Sequence, residues 1–188
     1  MQNTYFILRH GQTSHQLKKE RICYPWPEPS PILLTEKGKK QIKAAAKELK
    51  KEKIDLIYSS DMPRTRQTAG IVARELKLEV IFDSQLRDIN TGIFRGQPQK
   101  KFQKYFSRPE ELFFKPVPKG ENWNEIKKRM VDFLKKIDKK YKNKRILIVS
   151  HGDPLWLLAG AVKGWEIGDF MKNREVNYIK TGGLRKLC

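Results

Sequence analysis

Cysteine is nearly absent. The 188 residues hold two, Cys23 and Cys188, too few and too far apart for a disulfide framework or a C-x-x-C metal site. A reducing, cytoplasmic setting is the expectation. Histidine is almost as scarce, at three, and no His, Cys, Asp or Glu spacing has the form of a metal-ligand set. Neither a metal nor another cofactor is expected. Long apolar runs are missing too. The longest fall far below the ~18 residues of a membrane span. The apolar run after Met1 is short and ends in Arg9, unlike a secretory signal, so no membrane partner is expected. There is no internal repeat and no low-complexity linker; residues 25–31, PWPEPSP, come nearest to a break.

Negative charge is in deficit. Asp plus Glu number 21 against 40 Lys plus Arg, a net charge of +19. Such a field draws anions, whether phosphorylated metabolites, nucleic acid or acidic membranes, and does not choose among them. Most of the excess is lysine along helices, as in KGKKQIK, KELKKEK and FLKKIDKKYKNK, which suits a solvated surface. No nucleic-acid motif accompanies it. No pattern in the sequence encodes an oligomeric state.

What is present reads as one α/β domain over residues 1–188, long enough for a full core. Residues 5–8, YFIL, form an uninterrupted apolar run, the signature of a strand buried on both faces. Further strands are expected at 54–58, 79–82 and 145–149, with an edge strand at 176–179. Thr35 is a good N-cap for a helix whose Ile42, Ala45, Ala46 and Leu49 fall on one stripe. A second helix, 64–76, places Ala69, Val72, Ala73 and Leu76 alike. A long third, 122–141, carries Ile126, Met130, Phe133, Leu134, Ile137 and Tyr141. Pro154 should open a helix running to 162, and residues 14–20 are expected to be helical. With Pro at 25, 27, 29 and 31, the loop 23–31 can be neither helix nor central strand. Residues 97–118 are aromatic and basic and are expected to form helical pieces over one side of the fold. The wider span 97–120 reads as a lid or cap-like insertion. Strands alternating with amphipathic helices imply βαβ units, hence a mostly parallel sheet with helices on both faces: a three-layer α/β/α sandwich with ligands at the carboxyl ends of the strands.

Two of the three histidines occur in one local grammar: apolar strand, polar residue, His, Gly. These are Arg9-His10-Gly11 and Ser150-His151-Gly152. Alone, Arg9 and His10 suit a ligand site and a decorated surface turn equally. Two matched contexts on adjacent parallel strands would put both imidazoles at one rim. His15 reads as a surface residue. Between the pair lies SSDMPRTRQTA, residues 59–69, a strand end running into a helix N-terminus with Arg64 in its first turn, where an anion is favoured. Asp88, in the Gly-containing loop LRDINTG, could deliver a proton to a leaving group or merely cap a turn.

In order along the chain come R-H-G-x-T at 9–13, L-T-x-x-G at 34–38, S-S-x-x-x-R-x-x-Q-T-A at 59–69, L-R-D-I-x-x-G at 86–92, G-E-N at 120–122 and S-H-G at 150–152. This ordered set resembles the histidine phosphatase superfamily, the phosphoglycerate mutase-like proteins, from residue 5 to about 160. The resemblance implies a metal-independent phosphatase of small phosphorylated metabolites with a phosphohistidine intermediate. His10 would be the nucleophile. Arg9, Arg64 and His151 would surround the phosphoryl oxygens, and Asp88 would be the acid and base. Gly11, Thr13, Gln16 and Arg21 would contact substrate. Two departures stand out: Asp88 replaces the Glu frequent in the family, and Gln16 replaces a frequent Asn. Phosphoglycerate mutase-type transfer is the alternative within the family. Outside it, the alternative is a non-catalytic basic module that binds nucleic acid. A protein phosphatase acting on phosphohistidine or phosphotyrosine is a further possibility. Substrate selectivity should reside in 25–31 and 102–114.

Overall fold

A computed structural model describes residues 1–25 and 27–187. The elements in chain order are β1 (Thr4–Arg9), α1 (Glu36–Lys51), β2 (Leu56–Ser59), α2 (Pro63–Leu76), β3 (Val80–Phe82), α3 (Gln99–Lys104), α4 (Trp123–Lys140), β4 (Arg145–Ser150), α5 (Gly152–Val162), α6 (Ile167–Asn177) and β5 (Leu184–Lys186). Short 3₁₀ turns join them, among them Ser14–Leu17 and Pro109–Phe113.

The strands form one sheet in the order β3-β2-β4-β1-β5. The first four run parallel, and β5 pairs antiparallel with β1. Alternation along each strand divides the core. Tyr5, Ile7, Tyr58, Ile146 and Ile148 face α4 and α5. Phe6, Leu8, Ile57, Leu147 and Val149 face α1 and α2. Each such apolar side chain, fully buried, contributes roughly 1.5–3 kcal/mol. Two covered faces make the expected three-layer α/β/α sandwich.

Helix ends follow the sequence chemistry. The Thr35 hydroxyl accepts from Gly38 N at 3.0 Å to start α1, and Asn122 and Glu125 form a capping box on α4. The stripe residues of both helices are buried, except that Tyr141 is the half-buried C-cap.

Three expectations give way. Residues 176–179 are not a strand: Val176 lies in α6 and is 83% exposed. The edge strand is Leu184–Lys186, beyond the turn at Gly182. Helix α6 buries Phe170 fully but has no sustained apolar period, so a capping box at Glu166 and Asp169, not a stripe, marks it. Pro154 does not open α5, which begins at Gly152. Proline at the third position is tolerated, because first-turn N–H groups lack helical partners anyway. Of residues 14–20, only Ser14–Leu17 are helical, as one 3₁₀ turn.

Residues 97–120 contain α3 and the Pro109–Phe113 turn. They pack a small separate cluster: Phe102, Phe106, Val117 and Cys23, flanked by Phe94 and Tyr105. Cys23 is buried and free; Cys188 and Trp26 of the proline-rich loop lie outside the described residues. Among the described residues, no helix is long and apolar enough to cross a membrane.

Candidate active site

The register of the sheet builds the rim. Arg9 on β1 pairs with Ser150 on β4, so the next residues, His10 and His151, leave the sheet side by side. His10 N donates to Ser150 O at 3.1 Å. The two rings meet edge to face, with centroids 5.4 Å apart. His10 is 1% exposed and His151 fully buried.

His10 Nδ1 lies 2.8 Å from Gly11 O. A carbonyl only accepts, so Nδ1 carries the hydrogen and Nε2 keeps its lone pair. Burial holds the His10 pKa well below the ordinary value, reinforced by the charges of Arg64 and Arg9. An unprotonated, oriented imidazole results, the form a nucleophile needs. His151 is also held neutral, first by burial and then by Arg64 and Arg9. Its Nε2 is 3.0 Å from Ser60 Oγ, at the end of β2.

Arg64 enters from the first turn of α2, fully buried. Its Nη1 donates to Glu28 Oε1 at 2.8 Å and its Nη2 to Asp88 Oδ2 at 2.9 Å. The Tyr24 ring covers one face of the guanidinium, 3.8 Å from its carbon. Arg9 donates from Nη1 to Ile179 O at 2.9 Å and lies over Tyr178. Nε of each arginine is buried without a hydrogen bond.

Asp88 joins this group from the loop after β3. Oδ2 lies 3.6 Å from His151 Nδ1, while Oδ1 accepts from Ile89 N at 3.0 Å. The carboxylate thus caps its own turn and reaches the rim. Arg129 of α4 donates to the carbonyls of Gln85 and Asp88 and pairs with Glu121, which pins the loop. Asp88 also borders a cavity of about 260 Å³ shared with Tyr24, Thr91 and Arg129.

The other sequence candidates sit around this centre. A Cβ at Gly11 would come 2.6 Å from Gly38 O, so glycine is required for β1 to dock on the start of α1. Thr13 and Gln16 grip each other: Gln16 Oε1 accepts from Thr13 N at 2.6 Å and Thr13 Oγ1 at 3.0 Å. Tyr24 OH contacts both side chains. The pair thereby braces the ring beneath Arg64. Arg21 is exposed, and its carbonyl accepts from Gln99 N. His15 is not the surface residue expected: it is buried and stacked on Tyr24 with centroids 4.7 Å apart, because the 3₁₀ turn points it inward.

Sequence reasoning missed Glu28, Ser60, Tyr24 and Arg129. Glu28 had one signal: it is the sole acid in PWPEPSP. Among the described residues, no group of three or more His, Cys, Asp or Glu side chains could hold a metal ion.

The family model of the histidine phosphatase superfamily (branch 1) matches residues 5–183. Over 145 residues the chain is 31% identical to "Phosphoserine phosphatase 1" of Hydrogenobacter thermophilus, covering 73% of this chain and 67% of that one. Over 168 residues it is 31% identical to "Probable phosphoglycerate mutase GpmB" of Escherichia coli, covering 85% and 74%. The solved structure of a mycobacterial glucosyl-3-phosphoglycerate phosphatase superposes with a TM-score of 0.80 at 20% identity, covering 97% and 88%, which shows a shared fold. The match extends through almost the whole sequence rather than stopping at the motifs, and the chain belongs to branch 1 of the histidine phosphatase superfamily.

Proposed function

We propose that the protein hydrolyses phosphomonoesters of small metabolites through a phosphohistidine on His10. The observation that carries this is the His10 imidazole itself: Nδ1 is committed to Gly11 O and Nε2 is left as the free lone pair, beside the buried guanidinium of Arg64 and the half-buried one of Arg9. Nε2 attacks phosphorus in line as the P–O bond to the leaving group breaks. Arg9, Arg64 and His151 hold the equatorial oxygens; planar, permanently charged guanidiniums suit that task. Each preorganised donor of this kind is worth roughly 3–4 kcal/mol. The protein's own cations supply the charge, so the reading needs no metal.

Asp88 protonates the departing alkoxide. In the second step Asp88 takes a proton from water, whose oxygen attacks phosphorus. The P–N bond breaks and its electron pair returns to Nε2. Thr13, Gln16 and Gly11 shape the floor of the site, and Arg21 contacts substrate at its edge. Residues 97–120 act as a lid that selects the leaving group, together with 25–31. The cavity of about 330 Å³ between Phe102, Arg108, Trp123, Asp153 and Arg174 supports that assignment. Cysteine usage supports a cytoplasmic setting.

An alkaline quench during turnover of p-nitrophenyl phosphate tests the intermediate, followed by mass analysis of the peptide that carries His10. Added phosphate on that peptide is expected; full turnover without it overturns the reading. The likeness to a phosphoglycerate mutase raises a second reading, transfer back to a hydroxyl. Incubation with 3-phosphoglycerate separates the two. Release of free phosphate is expected, and net isomerisation without it would reject hydrolysis.

A further inference from the structure

Building on the phosphohistidine reading, we propose that Glu28 is an internal competitor of the phosphoryl group: it occupies Arg64, is displaced by incoming substrate, and returns as inorganic phosphate leaves. Nothing in the reaction described above uses this residue. Its placement is nonetheless specific. The Glu28 side chain is 2% exposed, with Oε1 at 2.8 Å from Arg64 Nη1 and Oε2 accepting from Ile32 N at 2.8 Å.

Both terminal nitrogens of the Arg64 guanidinium already hold a carboxylate. Glu28 takes Nη1, Asp88 takes Nη2, and Tyr24 covers a face. A phosphoryl group that engages these two nitrogens in the bidentate way a guanidinium favours competes with the carboxylates for the same cation. Asp88 must stay within reach as the proton donor, so Glu28 is the group that gives way.

Charge accounting points the same way. Both histidines are neutral, so Arg9 and Arg64 balance Asp88 and Glu28, two charges of each sign. A phosphomonoester dianion added to that set leaves two uncompensated negative charges in a buried site, which is costly. With Asp88 protonated and Glu28 withdrawn, the two guanidiniums balance the dianion. When the product departs, the buried Arg64 recovers its carboxylate, which favours release over retention.

The loop is built to let Glu28 move. The described residues of 24–32 lie between two isolated β-bridges, Ile22 with Pro98 and Thr13 with Leu34, and belong to no named strand or helix. Four prolines remove N–H donors and stiffen the segment. It can swing out without breaking a ladder, carrying Glu28 with it.

The test is calorimetric titration of the full-length wild type, Glu28→Gln and Glu28→Ala with inorganic phosphate, alongside turnover of p-nitrophenyl phosphate. The dissociation constant for phosphate should fall at least tenfold in both variants, with a matching fall in the product-inhibition constant. If Glu28 only held Arg64 in place, removing it would weaken phosphate binding, the opposite sign. Unchanged or weaker binding in a variant that still turns over substrate overturns the Glu28 proposal alone. Failure of the wild type to bind phosphate or turn over ester overturns the phosphatase reading and this proposal with it. Asp88 still balances Arg64 in the variants, and the amide of Glu28→Gln can accept the same hydrogen bond. If neither variant folds, hydrogen exchange on the wild type decides. Saturating phosphate should accelerate exchange of the Ile32 amide, and an unaltered rate overturns the proposal.

Discussion

The rim of the sheet and the segments that overhang it are built by different means. At the rim, β1 and β4 pair residue by residue from Thr4 with Arg145 to Arg9 with Ser150. Backbone hydrogen bonds fix where His10 and His151 emerge, and neither can shift without dislocating the central strands. The overhanging parts, 14–31 and 97–120, are joined to each other by a few backbone bonds between 21–23 and 96–99 and reach the rim through side chains: Gln16 on Thr13, Tyr24 against Arg64 and Glu28 on Arg64, beside a small aromatic cluster. Rigid backbone carries the groups that must stay in line to within a fraction of an ångström. Adaptable contacts carry the segments proposed above to tell one leaving group from another.

Substitutions can break this contrast. The largest effect should come at the rim. His10→Ala should lower kcat by roughly 10⁵-fold or more, the scale seen when a nucleophile is removed, with an unchanged circular dichroism spectrum. Retention of wild-type hydrolysis of p-nitrophenyl phosphate would remove His10 from the mechanism. An intermediate effect should come from the loop, and it should depend on substrate. Asp88→Asn should cost about 10²–10⁴-fold with alkyl phosphates and far less with p-nitrophenyl phosphate, whose phenolate leaves without a proton. An equal loss on both would argue that Asp88 only positions Arg64.

The smallest effect sharpens the comparison through stability. The pKa values of His10 and His151 are depressed in the folded protein. The unfolded chain therefore binds more protons below the ordinary histidine value of 6.5, and stability falls as pH falls. The contribution is complete above pH 6.5 and is lost as pH drops toward the folded-state values. The thermal midpoint of the wild type should decline between pH 7 and pH 5, and His151→Asn should flatten part of that slope. Identical slopes would mean that His151 is protonated in the native state.

Legibility in the sequence follows the same division. Strands β1, β2 and β4 could be read because each is a short apolar run with a defined end, and α1, α2 and α4 because their stripes repeat every third or fourth residue. The juxtaposition of His10 and His151 followed from two copies of one local pattern. Asp88 was legible as a turn cap or an acid; the structure shows it capping its turn and contacting Arg64 and His151. Glu28 was not legible as an Arg64 partner. A proline-rich loop has no period, so nothing local says which side chain turns inward. His15 was misread for a similar reason: its burial depends on Tyr24, nine residues on, closing over it. The tail was misread because α6 presents no stripe and Val176, though strand-forming, points to solvent.

The backbone of Arg9 and His10 is clasped from the far end of the sequence. Gly183 O accepts from Arg9 N, Gly182 N donates to His10 O, and Ile179 O receives the Arg9 guanidinium. On the ribosome, His10 is made long before the residues that clasp it. A nascent chain can therefore lay down β1 to β4 while the backbone of Arg9 and His10 stays unclasped, and the clasp closes only once residue 183 has cleared the exit tunnel.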